Sequence, residues 1–233
     1  MKPLSKLFAI LVAGVFAIAG SALAAPSVVK TGMAPAGANA ADPASPAWNK
    51  ARTTAIALVT APAVHASIGG DASTKSVSVQ ALSDGKQIHF RLSWADATAD
   101  STRADVGQFL DGVALQFPVN RSAKTVVLMG NQGGRVNIWY WRADGHVQNL
   151  FADGFGTLTP APVQDVTGKG IHSDGRWSVV LSRALKTASA DGVQLKGVTR
   201  IPVAPAVWNG GNAERDGFKA TTMEWQSVLL SSK

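Results

Sequence analysis

Ser76-Val77-Ser78-Val79-Gln80-Ala81-Leu82 alternates polar and apolar residues, Ser83-Asp84-Gly85-Lys86 follows, and Ile88-His89-Phe90-Arg91-Leu92-Ser93-Trp94 alternates again. A period of two sends successive side chains to opposite faces of a strand, and Asp-Gly between two such runs is a strong hairpin signal. Residues 76–94 are therefore predicted to form a β-hairpin. Working outward, further strands are predicted at residues 112–117, 125–129, 136–142, 177–182, 194–203 and 222–230. Helical patterns of useful length are scarce, because Asp174-Gly175, Asn209-Gly210-Gly211 and similar clusters interrupt the chain. The expected fold is all-β: an antiparallel two-sheet β-sandwich with long loops and few short helices. No repeat of 20–50 residues points to a solenoid or propeller.

The N-terminus reads differently. Lys2 and Lys6 precede an apolar run from Leu7 to Ala19, and Ala22-Leu23-Ala24 supplies small residues for cleavage. Residues 1–24 are predicted to be a signal peptide cleaved after Ala24, the apolar run being short for a membrane span. This implies export to the periplasm. Residues 25–47, rich in Ala, Pro, Gly and Ser, are expected to be an extended arm, with the folded domain occupying residues 48–233.

Cleavage would remove two of the 22 Lys and Arg and none of the 15 acids, leaving a net charge of +5. That is mildly basic, without the dense Lys/Arg runs of a nucleic-acid footprint. The count of zero cysteines excludes disulfides, iron–sulfur clusters, Cys-ligated zinc and covalently attached c-type haem. Any haem must be held non-covalently.

Most catalytic patterns fail. No G-x-S-x-G elbow occurs, and His65, His89, His146 and His172 are scattered without ligand spacing. His89 reads as a strand side chain. Gly130-Asn131-Gln132-Gly133-Gly134 leads into Arg135 and a strand, where a phosphate-binding loop needs Gly-Lys-Ser/Thr and a helix. Trp139-Tyr140-Trp141 puts two tryptophans on one strand face and the only tyrosine on the other, which suits either a core or a ligand face. Met129, at a glycine-rich turn, reads either as apolar filler or as an axial ligand to haem iron.

Several stretches carry a resemblance. They are Asp42-Pro43-x-Ser45-Pro46-x-Trp48; Asp84-Gly85-x-x-Ile88-x-Phe90-Arg91-Leu92-x-Trp94-x-Asp96-x-Thr98; Asp111-Gly112 through Phe117-Pro118; Met129-Gly130 with Val136 through Asp144; and Val207-Trp208-Asn209-Gly210-Gly211-Asn212-Ala213-Glu214-Arg215-Asp216-Gly217-x-Lys219. Together, and in this order, they resemble the haem b-binding gamma subunits of ethylbenzene dehydrogenase, dimethylsulfide dehydrogenase, selenate reductase and chlorate reductase. The resemblance implies a β-sandwich holding one haem b, at one end or edge, between a methionine and a lysine. By position these are Met129 and Lys219, with Lys196 the alternative lysine.

The resemblance further implies an electron-transfer subunit with no catalytic residues of its own. Its partners would be a molybdopterin catalytic subunit, an iron–sulfur subunit and a soluble or membrane redox carrier. Arg135, Arg142 and Arg215 read equally as propionate partners or as solvated surface charges. The alternative function is a carbohydrate- or ligand-binding sandwich without haem, stacking its ligand on Trp139 and Trp141.

Overall fold

The computed structural model describes residues 25–65, 67–121 and 124–230. The predicted signal peptide, residues 1–24, lies outside them. Fourteen strands follow in chain order: β1 (Val28–Met33), β2 (Thr54–Ala57), β3 (Val59–Thr60), β4 (Ser76–Ser83), β5 (Gln87–Ala95), β6 (Gly112–Pro118), β7 (Val136–Arg142), β8 (Val147–Ala152), β9 (Thr159–Pro160), β10 (Thr167–Ser173), β11 (Arg176–Ala184), β12 (Arg200–Trp208), β13 (Ala220–Thr221) and β14 (Gln226–Leu229). Two 3-10 turns, Pro46–Lys50 and Gly210–Asn212, are the helical elements. Among the described residues no helix is long and apolar enough to cross a membrane.

The hairpin forms as β4 and β5, paired from Ser78↔Ser93 to Ser83↔Ile88. Asp84 Oδ1 accepts from the backbone of Lys86 and Gln87, and Gly85 takes φ +85°. These backbone bonds hold the Asp84 carboxyl below the usual carboxylate range.

Two layers result. In the first, β10, β11, β5 and β4 lie side by side, with β2 also along β4. In the second the order is β9-β8-β7-β6-β12, with β13 and β14 both pairing with β12. The layers face one another through large side chains: the Phe90 ring lies 5.9 Å from that of Trp139, and the Trp141 ring 5.0 Å from that of Trp177. Trp139, Phe90, Phe117, Leu92 and Leu115 are fully buried. Burying an aromatic side chain of this size stabilises the fold by roughly 2–3 kcal/mol.

Within residues 25–47, expected as an arm, β1 is a packed strand with Val29 fully buried. Its first half pairs in parallel with β14 and its second half in parallel with β4, so it stitches the two layers together. Among the described residues these are the two parallel pairings, the other strand pairs being antiparallel. Residues 125–129, predicted as a strand, instead form a loop, and the strand expected at residues 194–203 begins only at Arg200 and runs on to Trp208. The apolar run at 125–129 arises because that loop covers an apolar sheet face, which favours the same residue types as a ladder position.

Candidate functional site

The second layer has two apolar faces. Val113, Leu115, Phe117, Trp139 and Trp141 point into the sandwich, while Ala114, Ile138, Tyr140, Leu150, Ala204 and Ala206 alternate with inward residues and point out. Loops partly cover this outer face and border an open-sided cavity of about 670 Å³. Small side chains on β6 and β12 leave the space, and Tyr140 and Trp208, in edge-to-face contact at 5.5 Å, form part of its wall. The volume lies in the ordinary range for an organic ligand or cofactor.

Met129 and Lys219 enter this cavity from two different loops. Residues 124–130 are tied down by Gln116 Nε2 donating to Val127 O, by Trp225 Nε1 donating to Thr125 O at 3.0 Å and by Gly154 N donating to Met129 O at 2.9 Å. Met129 adopts φ +63°, the left-handed region where a side chain costs about 1–2 kcal/mol. Gly130 follows at φ +74°, and a Cβ there would stand 2.6 Å from Gly134 O, so the turn requires glycine. Strain of this kind clusters at ligand-binding sites in proteins generally, and Met129 lines the cavity.

Lys219 is fixed on the other side by Ala61 N donating to its carbonyl at 2.9 Å. Its Nζ lies 3.9 Å from Met129 Sδ and 5.0 Å from the centre of the Trp208 ring. The side chain is partly accessible because it faces the cavity, yet protein atoms crowd its amine. Burial lowers its pKa to about 8, and the weaker pull of Asp216 opposes this. Among the described residues Lys219 forms no ion pair. A poorly solvated amine and a thioether, 90 positions apart in sequence, thus meet across an apolar cavity.

The other sequence candidates separate cleanly. Lys196 donates to Gly85 O at 3.2 Å and does not line this cavity. Arg135 binds Asp153 and Asp191 elsewhere. Arg142 lines the cavity but is clasped by Asp144, with Nε and Nη2 contacts at 3.0 and 2.7 Å. Arg215 also lines it, its guanidinium 4.3 Å from the centre of the Phe109 ring. His89 is a buried strand residue in contact with Ser182 Oγ at 2.7 Å. Trp139 and Trp141 belong to the core, which removes the stacking face that a sugar-binding reading requires. Sequence reasoning missed Tyr140, Trp208 and Arg103 as cavity residues, although the outward set of the β7 alternation already contained Tyr140. The cavity lies over a sheet face, at the place where the outward residues of β6 and β12 include the small Ala114, Ala204 and Ala206.

A family model described as ethylbenzene dehydrogenase matches residues 45–162 and 155–220. The gamma subunit of chlorate reductase from Ideonella dechloratans is 45% identical over 82% of this chain and 80% of its own length. A Haloferax mediterranei protein described as the haem subunit of a respiratory nitrate reductase is 38% identical over 78% of this chain and 66% of its own. The gamma subunit of dimethylsulfide dehydrogenase from Rhodovulum sulfidophilum is 34% identical over 79% and 73%. Among solved structures, a family 9 carbohydrate-binding module from Caldicellulosiruptor kristjanssonii in complex with glucose aligns with a TM-score of 0.50, covering 89% of this chain and 97% of that one at 9% identity. That last likeness is one of fold alone.

Proposed function

The chain belongs to the ethylbenzene dehydrogenase family, and on that premise we propose that it is the haem b electron-transfer subunit of an exported molybdopterin oxidoreductase complex. The observation that carries this reading is the meeting of Met129 Sδ and Lys219 Nζ at 3.9 Å inside the cavity. Both are donors of the kind haem iron accepts, and the apolar floor suits a flat macrocycle. The two residues fit the group that the relatives' names and the resemblance suggest.

Haem bound here supplies a one-electron couple. Met129 offers a soft thioether, which favours the reduced metal. Lys219 must lose its proton to coordinate, and its burial makes that loss far easier than for a lysine in water. Met129 and Lys219 would both hold the haem, which would then serve electron relay and not bond chemistry on a substrate. Arg103 and Arg215, both on the cavity lining, are the propionate partners we favour over Arg135, which is engaged by two aspartates. The partners in this reading are a molybdopterin subunit, an iron–sulfur subunit and a redox carrier, all in the periplasm.

The test is the absorption spectrum of the chain purified from haem-sufficient cells. A sharp b-type spectrum, with the haem extractable into acidified acetone, is expected. A haem-free preparation refutes the proposal.

A further inference from the structure

Asp96, Asp100 and Asp111 each offer a carboxylate oxygen, and these atoms lie within 4.8 Å of one another. Asp96 directly follows β5 and Asp111 directly precedes β6, so the three close the base of the loop 96–111. Two are deeply buried: Asp96 is 4% exposed and Asp111 0%. Among the described residues none of the three has a cationic partner in an ion pair. Three carboxylates at this separation repel strongly unless a positive charge joins them.

The surrounding bonds are arranged for anions. Asp111 Oδ1 accepts from Gly210 N at 2.8 Å, and its Oδ2 accepts from Asp100 N at 2.8 Å and Trp177 Nε1 at 2.9 Å. A protonated acid here would bring a donor to a site already filled with donors. Burial nevertheless pushes the Asp111 pKa up to about 6, and burial also raises that of Asp96. The second oxygen of Asp96, Oδ2, has no hydrogen-bond partner. The Trp94 indole favours the Asp96 anion, but neither its Nε1 nor Asp96 Oδ2 sits in hydrogen-bonding geometry. His172, on β10, meets the backbone carbonyl of Asp96 at 2.9 Å through Nε2 and leaves the carboxylate to others.

Neutral oxygens gather at the same place. Thr98 Oγ1 donates to Asp100 Oδ2 at 2.6 Å. A Cβ on Gly211 would lie 3.1 Å from Asp100 Oδ2, 3.2 Å from Thr98 Oγ1 and 3.3 Å from Asn209 Oδ1. Side-chain oxygens from two separate segments therefore converge where residue 211 has no side chain.

We propose that Asp96, Asp100 and Asp111 bind one divalent cation, calcium by preference, which fastens the loop 96–111 to the turn 209–211. The donors are all hard oxygens with no histidine or cysteine among them, which selects calcium over zinc or copper, and an irregular loop-built site suits calcium better than magnesium. The loop carries Arg103, Phe109 and Leu110 into the cavity wall, and the turn leads into the segment bearing Lys219. The cation thus braces both walls of the cavity, whatever the cavity holds.

The test is calorimetric titration of calcium chloride into the full chain as purified, after EDTA treatment and dialysis, with thermal melts alongside. One calcium per chain is expected, with Tm rising by roughly 5–10 °C at a hundredfold excess over Kd and a smaller response to magnesium. Asp100→Asn, in the half-exposed part of the loop, should weaken calcium binding at least tenfold while its Tm in EDTA stays close to that of the parent, and Asp96→Asn should do the same. A parent chain that gives neither heat nor a Tm shift overturns the proposal. So does either variant if it binds calcium as the parent does.

Discussion

Lowering the pH from 8 to 6 should weaken haem binding by the haem-free chain about fifty-fold. In the proposed site Lys219 can bind iron only as the neutral amine, and its pKa in the cavity is lowered from 10.5 to about 8. The neutral fraction is then about one half at pH 8, roughly 9% at pH 7 and about 1% at pH 6, each unit being worth about 1.4 kcal/mol. The sign follows from the direction of the shift: protonation competes with iron below pH 8, so affinity rises with pH up to about 8 and then levels off. A lysine left at its ordinary value would be neutral to only roughly 0.03% at pH 7, so burial makes ligation about 300-fold less costly there. The assay is spectrophotometric titration of the haem-free chain with haem at the low-spin band, repeated at half-unit steps from pH 6 to 9. Lys219→Met, which replaces the titrating donor with a non-titrating one, should flatten the profile. A flat profile in the parent chain, or an unchanged slope in Lys219→Met, refutes the assignment of Lys219 as the ligand.

Met129→Gly should abolish the low-spin spectrum yet change the stability of the haem-free chain by no more than about 1 kcal/mol, because relief of the φ +63° backbone offsets the lost packing and the extra chain entropy of glycine; chemical denaturation of the haem-free chain checks this. Gly170→Ala should destabilise the sandwich by about 1–3 kcal/mol in the same assay, since its Cβ would stand 2.3 Å from Trp141 Cζ2. Arg135→Ala should cost at most about 1 kcal/mol, its guanidinium side chain being 37% exposed and its ion pairs screened by solvent, and haem content per chain should not change.

The sheet layers were legible wherever alternation and turn chemistry coincided. The β4–β5 hairpin falls where the pattern puts it because its strands alternate, and β7 because it is rich in β-branched and aromatic residues, the turn residues in both cases being Asp and Gly. Legibility failed where glycine and proline serve packing. In β10, Gly168 and Gly170 look like chain breakers, but each lets the strand lie close over Trp141, where a Cβ would stand 3.2 Å and 2.3 Å from ring atoms. In β12, Pro202 and Pro205 look like a terminus, yet the strand passes through both. β1 was hidden by its composition, since its worth lies in pairing with two distant strands and its own residues carry little signal.

The site was legible as residue types and not as a place. Met129 and Lys219 came from resemblance, and nothing in their spacing says that their ends lie 3.9 Å apart, because the approach depends on how the two loops drape over the alanines of β6 and β12. The motif stretches also divide in space in a way the linear sequence conceals. Met129, Tyr140, Trp208, Arg215 and Lys219 go to the cavity. Asp96, Thr98, Asp111, Asn209, Gly210 and Gly211 instead meet at the acidic junction outside it, where Asp111 accepts from Gly210 and where oxygens of Asp100, Thr98 and Asn209 surround the position of a Gly211 side chain. On the proposed reading, holding a haem calls on the first group alone. On the proposed reading the second group holds still the loops that carry the first, since Lys219 sits in a short turn beside the two-residue β13 and has little sheet of its own to fix it.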